Sequence, residues 1–145
     1  MRHLTALIII LLTLTGVKAQ SGLAIDPLFS GSDKWNLKFE ATYIRGEMLK
    51  EYNLTLFRSI TTCDTTLFPD IEKAIESDAA KAIDKECGYI NGKLYYGFFM
   101  FKPINGQNRY IFYRNSSLRR DENDESTVVY MEGYPTIEEL KKMFR

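Results

Sequence analysis

Apolar and polar residues alternate along several stretches of this chain, and the alternation predicts a β-sheet. In Leu37–Arg45 and in Met48–Thr62, apolar side chains recur at about every second position, as in strands with one buried face. The stretch Lys93–Met131 differs, because aromatic and aliphatic side chains fill both parities of its strands. Such strands need cover on both faces, from the chain itself or from a partner.

Three strands are predicted within that stretch, at Lys93–Lys102, Arg109–Arg114 and Ser126–Glu132. Asn91-Gly92 is a two-residue hairpin signal before the first of them. A Gly-containing loop separates the first two, and a polar loop separates the last two. In the first strand one parity carries Leu94, Tyr96, Phe98 and Met100, and the other carries Tyr95, Phe99 and Phe101. Neither face of that strand is polar.

Two helices are predicted around this meander. A proline at the first helical position and acidic residues in the first turn predict one long helix, Pro69–Cys87, with alanines and isoleucines along one face. Thr136 and Glu139 match a capping box, which predicts a short final helix that docks on the sheet. The element order is therefore strand, strand, helix, three-strand meander, helix. This order predicts an α+β fold with an antiparallel five-stranded sheet and one long helix packed on one face.

The beginning of the chain predicts a secretory signal peptide. Residues 1–3 are a short basic start, residues 4–17 are an apolar run, and Val17-Lys18-Ala19 is a small-residue cleavage site. Cleavage after Ala19 leaves residues 20–145, which are enough for one domain. We expect this mature domain to lie in a periplasm or outside the cell, without a membrane anchor.

Charge and histidine content exclude several kinds of function for the mature chain. Losing Arg2 and Lys18 leaves 17 basic and 19 acidic residues, a formal charge of −2, so nothing favours binding to nucleic acid or to an anionic membrane. The only histidine, His3, leaves with the signal peptide. Histidine-based catalysis and histidine-ligated metal sites are therefore excluded, and we expect no cofactor and no metal.

Cys63 and Cys87 are candidates for a disulfide, since an exported protein meets an oxidising environment. The predicted helix opposes the bond, because its ends lie about 27 Å apart. The six residues from Cys63 to Pro69 span at most about 20 Å. The alternative is two partly buried thiols.

Three groups of side chains are candidates for chemistry. Asp121–Glu125 begins like a calcium loop but lacks the following glycine and the distal glutamate, so a solvated acidic loop is the simpler interpretation. Glu132, Glu138 and Glu139 are candidates for the paired carboxylates of a glycoside hydrolase, although the last two suit a helix start.

The third group is aromatic. Tyr95, Phe99 and Tyr113, with Trp35, are candidates for a sugar-stacking platform on the sheet, with core packing as the alternative.

Four segments of the chain resemble small exported proteins of Bacteroidota that are known only as a domain of unknown function. The segments are LTLFRSI (Leu54–Ile60), GKLYYGFFMF (Gly92–Phe101), RYIFYRN (Arg109–Asn115) and YMEG with TIEELKKMF (Tyr130–Phe144). The resemblance implies a bacterial, exported, single-domain protein. It implies no catalytic residue, ligand or partner.

The sequence favours a non-enzymatic interaction or structural module that contacts a protein partner or itself through the aromatic sheet or a sheet edge. The alternative is a small-ligand site or a carboxylate-based, carbohydrate-directed hydrolase. That alternative requires a pocket with two perturbed carboxylates, or a tyrosine beside Arg58 or Arg45.

Overall fold

An antiparallel sheet organises the computed structural model, which describes residues 22–29 and 40–144. The elements follow in this order: α1 (Asp26–Phe29), β1 (Glu40–Arg45), β2 (Leu54–Thr62), α2 (Phe68–Ala79), β3 (Asp84–Ile90), β4 (Lys93–Ile104), β5 (Gln107–Asn115), β6 (Ser126–Gly133) and α3 (Ile137–Met143). Short 3-10 turns occupy Glu47–Tyr52, Thr65–Leu67 and Ser116–Leu118. The predicted α+β class is confirmed. The predicted signal peptide and Trp35 lie outside the described residues.

The sheet has six strands in the order β1-β2-β6-β5-β4-β3, so the predicted count of five is wrong. All of its neighbouring strands pair antiparallel. The predicted hairpin at Asn91-Gly92 is confirmed, with φ of 51° and 77° at the two turn residues. Asn105-Gly106 repeats this geometry with φ of 55° and 77°, so β4 and β5 form a second tight hairpin.

The added strand is β3, and its first four residues replace the end of the predicted long helix. Helix α2 ends at Ala79, and Asp84–Ile90 pairs with β4, where Cys87 lies opposite Gly97. Strand β3 lies at the edge of the sheet, where its charged residues Asp84, Lys85 and Glu86 are well tolerated. The predicted long helix that would have kept Cys63 and Cys87 apart is therefore absent. Both cysteines are free thiols in this structure, Cys63 exposed and Cys87 half-buried.

Face A is the side of the sheet that α2 covers. Its buried residues include Leu56, Ile60, Leu94, Phe99, Phe101, Ile111, Tyr113, Val128 and Tyr130. Ile71 and Ile75 of α2 pack on them, together with side chains of the segment 23–28. Asp78 at the end of α2 holds that segment in place, because it accepts hydrogen bonds from the N–H groups of Ala24 (2.6 Å) and Ile25 (3.1 Å).

Face B is the opposite side, which α3 and the first 3-10 turn cover. Its buried residues are Leu54, Phe98, Tyr110, Phe112, Val129 and Met131, under Leu49, Ile137 and Leu140. Phe144 stacks on Phe112 with ring centroids 4.4 Å apart. The capping box of Thr136 and Glu139 is confirmed. The chain therefore supplies cover for both faces of its aromatic strands.

A β-bulge in β4 changes which residues share a face. Gly88 pairs with Tyr96, but the next residue of β3 pairs with Leu94, so Tyr95 is the extra residue. As a result Leu94 packs on face A with Phe99, although the simple alternation placed it with Tyr96 and Phe98.

Candidate functional site

Aromatic and charged side chains meet at one end of face A because of the register of three strands. Tyr43 of β1 lies opposite Arg58 of β2, and Arg58 lies opposite Tyr130 of β6 on its other side. Residues that are directly opposite in a sheet point to the same face. The three side chains therefore form one row across face A.

A second row runs beside the first. Leu56 of β2 lies between Arg45 and Glu132, and Glu132 lies opposite Arg109 of β5. Two positive charges and one negative charge therefore project from the same end of face A.

The two rows line a cleft of about 390 Å³, which we call the arginine cleft. Its charged and aromatic lining residues are Tyr43, Arg45, Arg58, Arg109, Tyr130 and Glu132. The β4–β5 hairpin, residues 104–107, contributes a further wall. Three guanidinium groups against one carboxylate give the lining a formal charge of +2, so the cleft attracts anions.

The guanidinium of Arg58 lies close to two aromatic rings. Its guanidinium carbon lies 4.7 Å from the ring centroid of Tyr130 and 4.9 Å from that of Phe29. Its Nε atom is buried and has no hydrogen-bond partner among residues 22–29 and 40–144. A guanidinium group can stack on an aromatic face while its N–H donors point outward in the plane of the guanidinium. Arg58 is therefore a positioned donor in the arginine cleft.

Tyr130 and Glu132 form a hydrogen-bonded pair beside this arginine. The Tyr130 hydroxyl donates to Glu132 Oε2 at 2.8 Å. Burial raises the pKa of Tyr130 above its usual range, and the neighbouring Glu132 carboxylate raises it further. Tyr130 therefore stays a neutral phenol, and the pair leaves the other oxygen of Glu132 as an acceptor.

The cleft is completed by Arg109, Arg45 and Tyr43. Arg109 Nε donates to the carbonyl oxygen of Lys102 at 3.4 Å. Arg45 is exposed, with its guanidinium 5.9 Å from the ring centroid of Tyr43. Tyr43 itself is 60% exposed on the edge strand, which places an accessible ring at the side of the cleft.

The structure buries the three aromatic residues that the sequence offered as a platform. Tyr95 is 8% exposed, Phe99 2% and Tyr113 0%. Phe99 and Tyr113 pack on face A. The hydroxyl of Tyr95 instead contacts Arg114 (3.0 Å) and Glu122 (3.1 Å). The three therefore share no accessible surface, because Phe99 and Tyr113 are covered by α2 and by the segment 23–28.

The proposed carboxylate pair is also separated by the structure. Glu132 lies in the arginine cleft, whereas Glu139 closes the capping box of α3 and Glu138 lies 3.5 Å from Lys141. In the part of the chain that the structure describes, no three His, Cys, Asp or Glu side chains are grouped as metal ligands. Among these same residues, no helix combines the length and apolar character needed to span a membrane.

A second concave surface lies beside α3 on face B. This apolar groove of about 270 Å³ is lined by Ile44, Leu49, Tyr52, Leu54, Phe57, Met143 and Phe144. It exists because α3 is only seven residues long and leaves part of face B beside β1 and β2 uncovered.

Sequence reasoning singled out Arg45 and Arg58 as partners for a tyrosine, and the structure supplies Tyr43 and Tyr130 beside them. It missed Arg109 as a member of the site. The local alternation gives each residue's parity, but the pairing of β2 with β6 joins residues about 70 positions apart. No local signal reports that pairing.

Comparisons with known proteins identify a family and no activity. The sequence profile of a family described as a family of unknown function (DUF6108) matches residues 12–144. No curated protein and no solved structure matches the chain.

Proposed function

Because this chain belongs to the DUF6108 family, whose function is unknown, we propose from its geometry that it is an exported, non-enzymatic recognition domain. Its binding site is the arginine cleft, and its ligand carries an anionic group. The observation that carries this proposal is the half-buried Arg58 guanidinium, which lies close to two aromatic rings and has a buried Nε without a partner among the described residues. A buried donor without a partner is costly in a folded protein. An anion in the cleft offers acceptors to the accessible N–H groups of this guanidinium.

The groups in the cleft support binding better than catalysis. A hydrolytic reaction needs a nucleophile or a general base near its ligand. The phenol of Tyr130 is kept protonated by burial and by Glu132, and it donates its hydrogen bond to that carboxylate. Glu138 and Glu139, the other candidate carboxylates, serve the start of α3. These contacts support a site that positions a ligand without transforming it.

The anion-binding proposal is tested by titrating the purified chain with acetate and with inorganic phosphate. We expect saturable binding of at least one of them, weakened by added salt because the attraction is electrostatic. Arg58→Ala should weaken this binding about 10- to 100-fold, since charge-assisted hydrogen bonds contribute about 1.5–3 kcal/mol. Isothermal titration calorimetry measures both dissociation constants.

Two variants separate a binding defect from a folding defect. Arg58→Lys keeps the charge and loses the planar fork, so it should bind with intermediate affinity. Arg120→Ala removes an exposed arginine from the loop at the other end of the sheet and should bind as the unmodified chain does. If neither anion binds, or if all three variants bind equally well, the cleft is not an anion site.

A protein partner or a second copy of the chain is the second candidate ligand, and the apolar groove beside α3 favours it. The groove exposes parts of Tyr52, Phe57 and Met143, and Met48 is 73% exposed in the adjacent turn. Nucleic acid and membrane are not proposed as partners, since the mature chain carries a formal charge of −2.

Native mass spectrometry of the chain expressed from Met1 tests export and association together. We expect the mass of a chain that begins at Gln20, and the mass of its complex with a partner or with a second copy. A monomer that keeps residues 1–19 would contradict both expectations.

A further inference from the structure

The donor geometry of the arginine cleft restricts the kind of anion that fits. Because the rings of Phe29 and Tyr130 lie 4.9 Å and 4.7 Å from the Arg58 guanidinium carbon, a ligand approaches this group along its remaining N–H edge. That edge matches the two oxygens of a carboxylate. A phosphate would add a further charged oxygen in a cleft that already contains Glu132. A single carboxylate therefore fits better than a phosphate.

Glu132 indicates what else the ligand carries. One of its oxygens accepts the Tyr130 hydrogen bond at 2.8 Å, and an ionised carboxylate has room for further donors. It repels a second anionic group but accepts hydrogen bonds from hydroxyl groups. A ligand with one carboxylate and several hydroxyls therefore matches the cleft.

Tyr43 provides the surface on which such a ligand can lie. Its ring is 60% exposed and stands in the same row as Arg58 and Tyr130. Flat aromatic rings pack well against the C–H faces of other rings, and a tyrosine hydroxyl adds a polar contact at the edge. A ring-shaped ligand would cover this exposed surface.

From these three features, and resting on the anion-binding function proposed above, we propose that the arginine cleft binds a sugar carboxylate. The carboxylate contacts Arg58, the hydroxyl groups contact Glu132, and the sugar ring packs on Tyr43. The sugar is either free or part of an oligosaccharide.

The test compares dissociation constants for sodium glucuronate, sodium acetate, glucose and glucose 6-phosphate, by calorimetry on the full chain. We expect glucuronate to bind at least tenfold more tightly than each of the other three. Tyr43→Ala should abolish that preference while acetate affinity stays within about twofold, because the ring contact is lost and the arginine is kept. A neutral oligosaccharide that ends in one glucuronate tests whether the sugar is free or part of a chain. Tighter binding of this oligosaccharide than of free glucuronate would indicate an oligosaccharide ligand.

The outcomes separate this inference from the anion-binding function. Equal affinity for acetate and glucuronate would overturn the sugar assignment and leave anion binding intact. Tighter binding of glucose 6-phosphate would overturn the carboxylate assignment. Failure of every anion to bind would overturn both. If Tyr43→Ala keeps the preference for glucuronate, Tyr43 is not part of the binding site. A melting temperature equal to that of the unmodified chain would show that the variant is folded.

Discussion

Replacing Phe99 with alanine is expected to lower the free energy of unfolding by about 3–5 kcal/mol, the usual cost of removing a fully buried phenylalanine ring. Phe99 is 2% exposed at the centre of face A. Its ring lies so close to Gly97 that a Cβ atom built there would be 2.4 Å from ring carbons. The substitution leaves a cavity between β4 and α2 that neighbouring side chains fill only in part. Urea denaturation followed by circular dichroism measures the change.

Tyr89→Ala is the matched control, because Tyr89 is a 58% exposed aromatic residue on the adjacent strand. Its loss should change the free energy of unfolding by no more than about 0.5 kcal/mol. If Phe99→Ala were as harmless as Tyr89→Ala, the ring would not be a core residue. Phe99 would then again be a candidate for the sugar-stacking platform that the sequence predicted.

Asp78→Ala is expected to lower the free energy of unfolding by about 3 kcal/mol. The side chain is 0% exposed, and its carboxylate is the acceptor for the N–H groups of Ala24 and Ile25. Each N–H group left without a partner costs about 1–3 kcal/mol when it is buried. The segment 22–28 should detach from α2, and amide hydrogen exchange at Ile25 reports that loss. Asp84→Ala, at an exposed aspartate, is the control.

The same residue predicts a pH dependence. Burial raises the pKa of Asp78, and nearby Asp26 adds to this, while the two N–H donors and Lys81 act in the opposite direction. A raised folded pKa means that protonation favours the fold. This contribution is complete below about pH 4 and is lost as the pH rises through the folded pKa.

Asp78→Asn removes the titration and keeps one acceptor oxygen. The unmodified chain should therefore lose stability relative to Asp78→Asn as the pH rises above about 4. Parallel stability curves for the two proteins across this range would show that burial does not shift this carboxyl group.

The parts of the fold that local chemistry determines were predictable. The Asn91-Gly92 turn and the Thr136 capping box act within four residues, and both are present. The end of α2 was not predictable in this way, because residues 84–87 satisfy the spacing of a helix. They become a strand only because β4 offers an unpaired edge. The bulge at Tyr95 is equally a property of the β3–β4 pair.

The candidate site depends on pairing over longer distances. Parity alone placed Arg58 on one face of its strand, but Tyr130 comes beside it only through the β2–β6 register. Face B is covered by α3, whose docking on the sheet the sequence predicted, and by Leu49, which the sequence placed within a strand. The prediction of two apolar faces was therefore sound, whereas the choice of Tyr95, Phe99 and Tyr113 as binding residues rested on one face staying open.

The arginine cleft is tested most directly by a ¹⁵N NMR titration of the chain with glucuronate, observing the Arg58 side-chain Nε–H signal. We expect this signal to shift together with the amide signals of Tyr43 and Tyr130, and all three signals to saturate with one dissociation constant. Tyr89, on the other edge of the sheet, should be unaffected. Shifts confined to Phe57 and Met143 in the apolar groove, with Arg58 unchanged, would contradict binding in the arginine cleft and place the binding surface on face B.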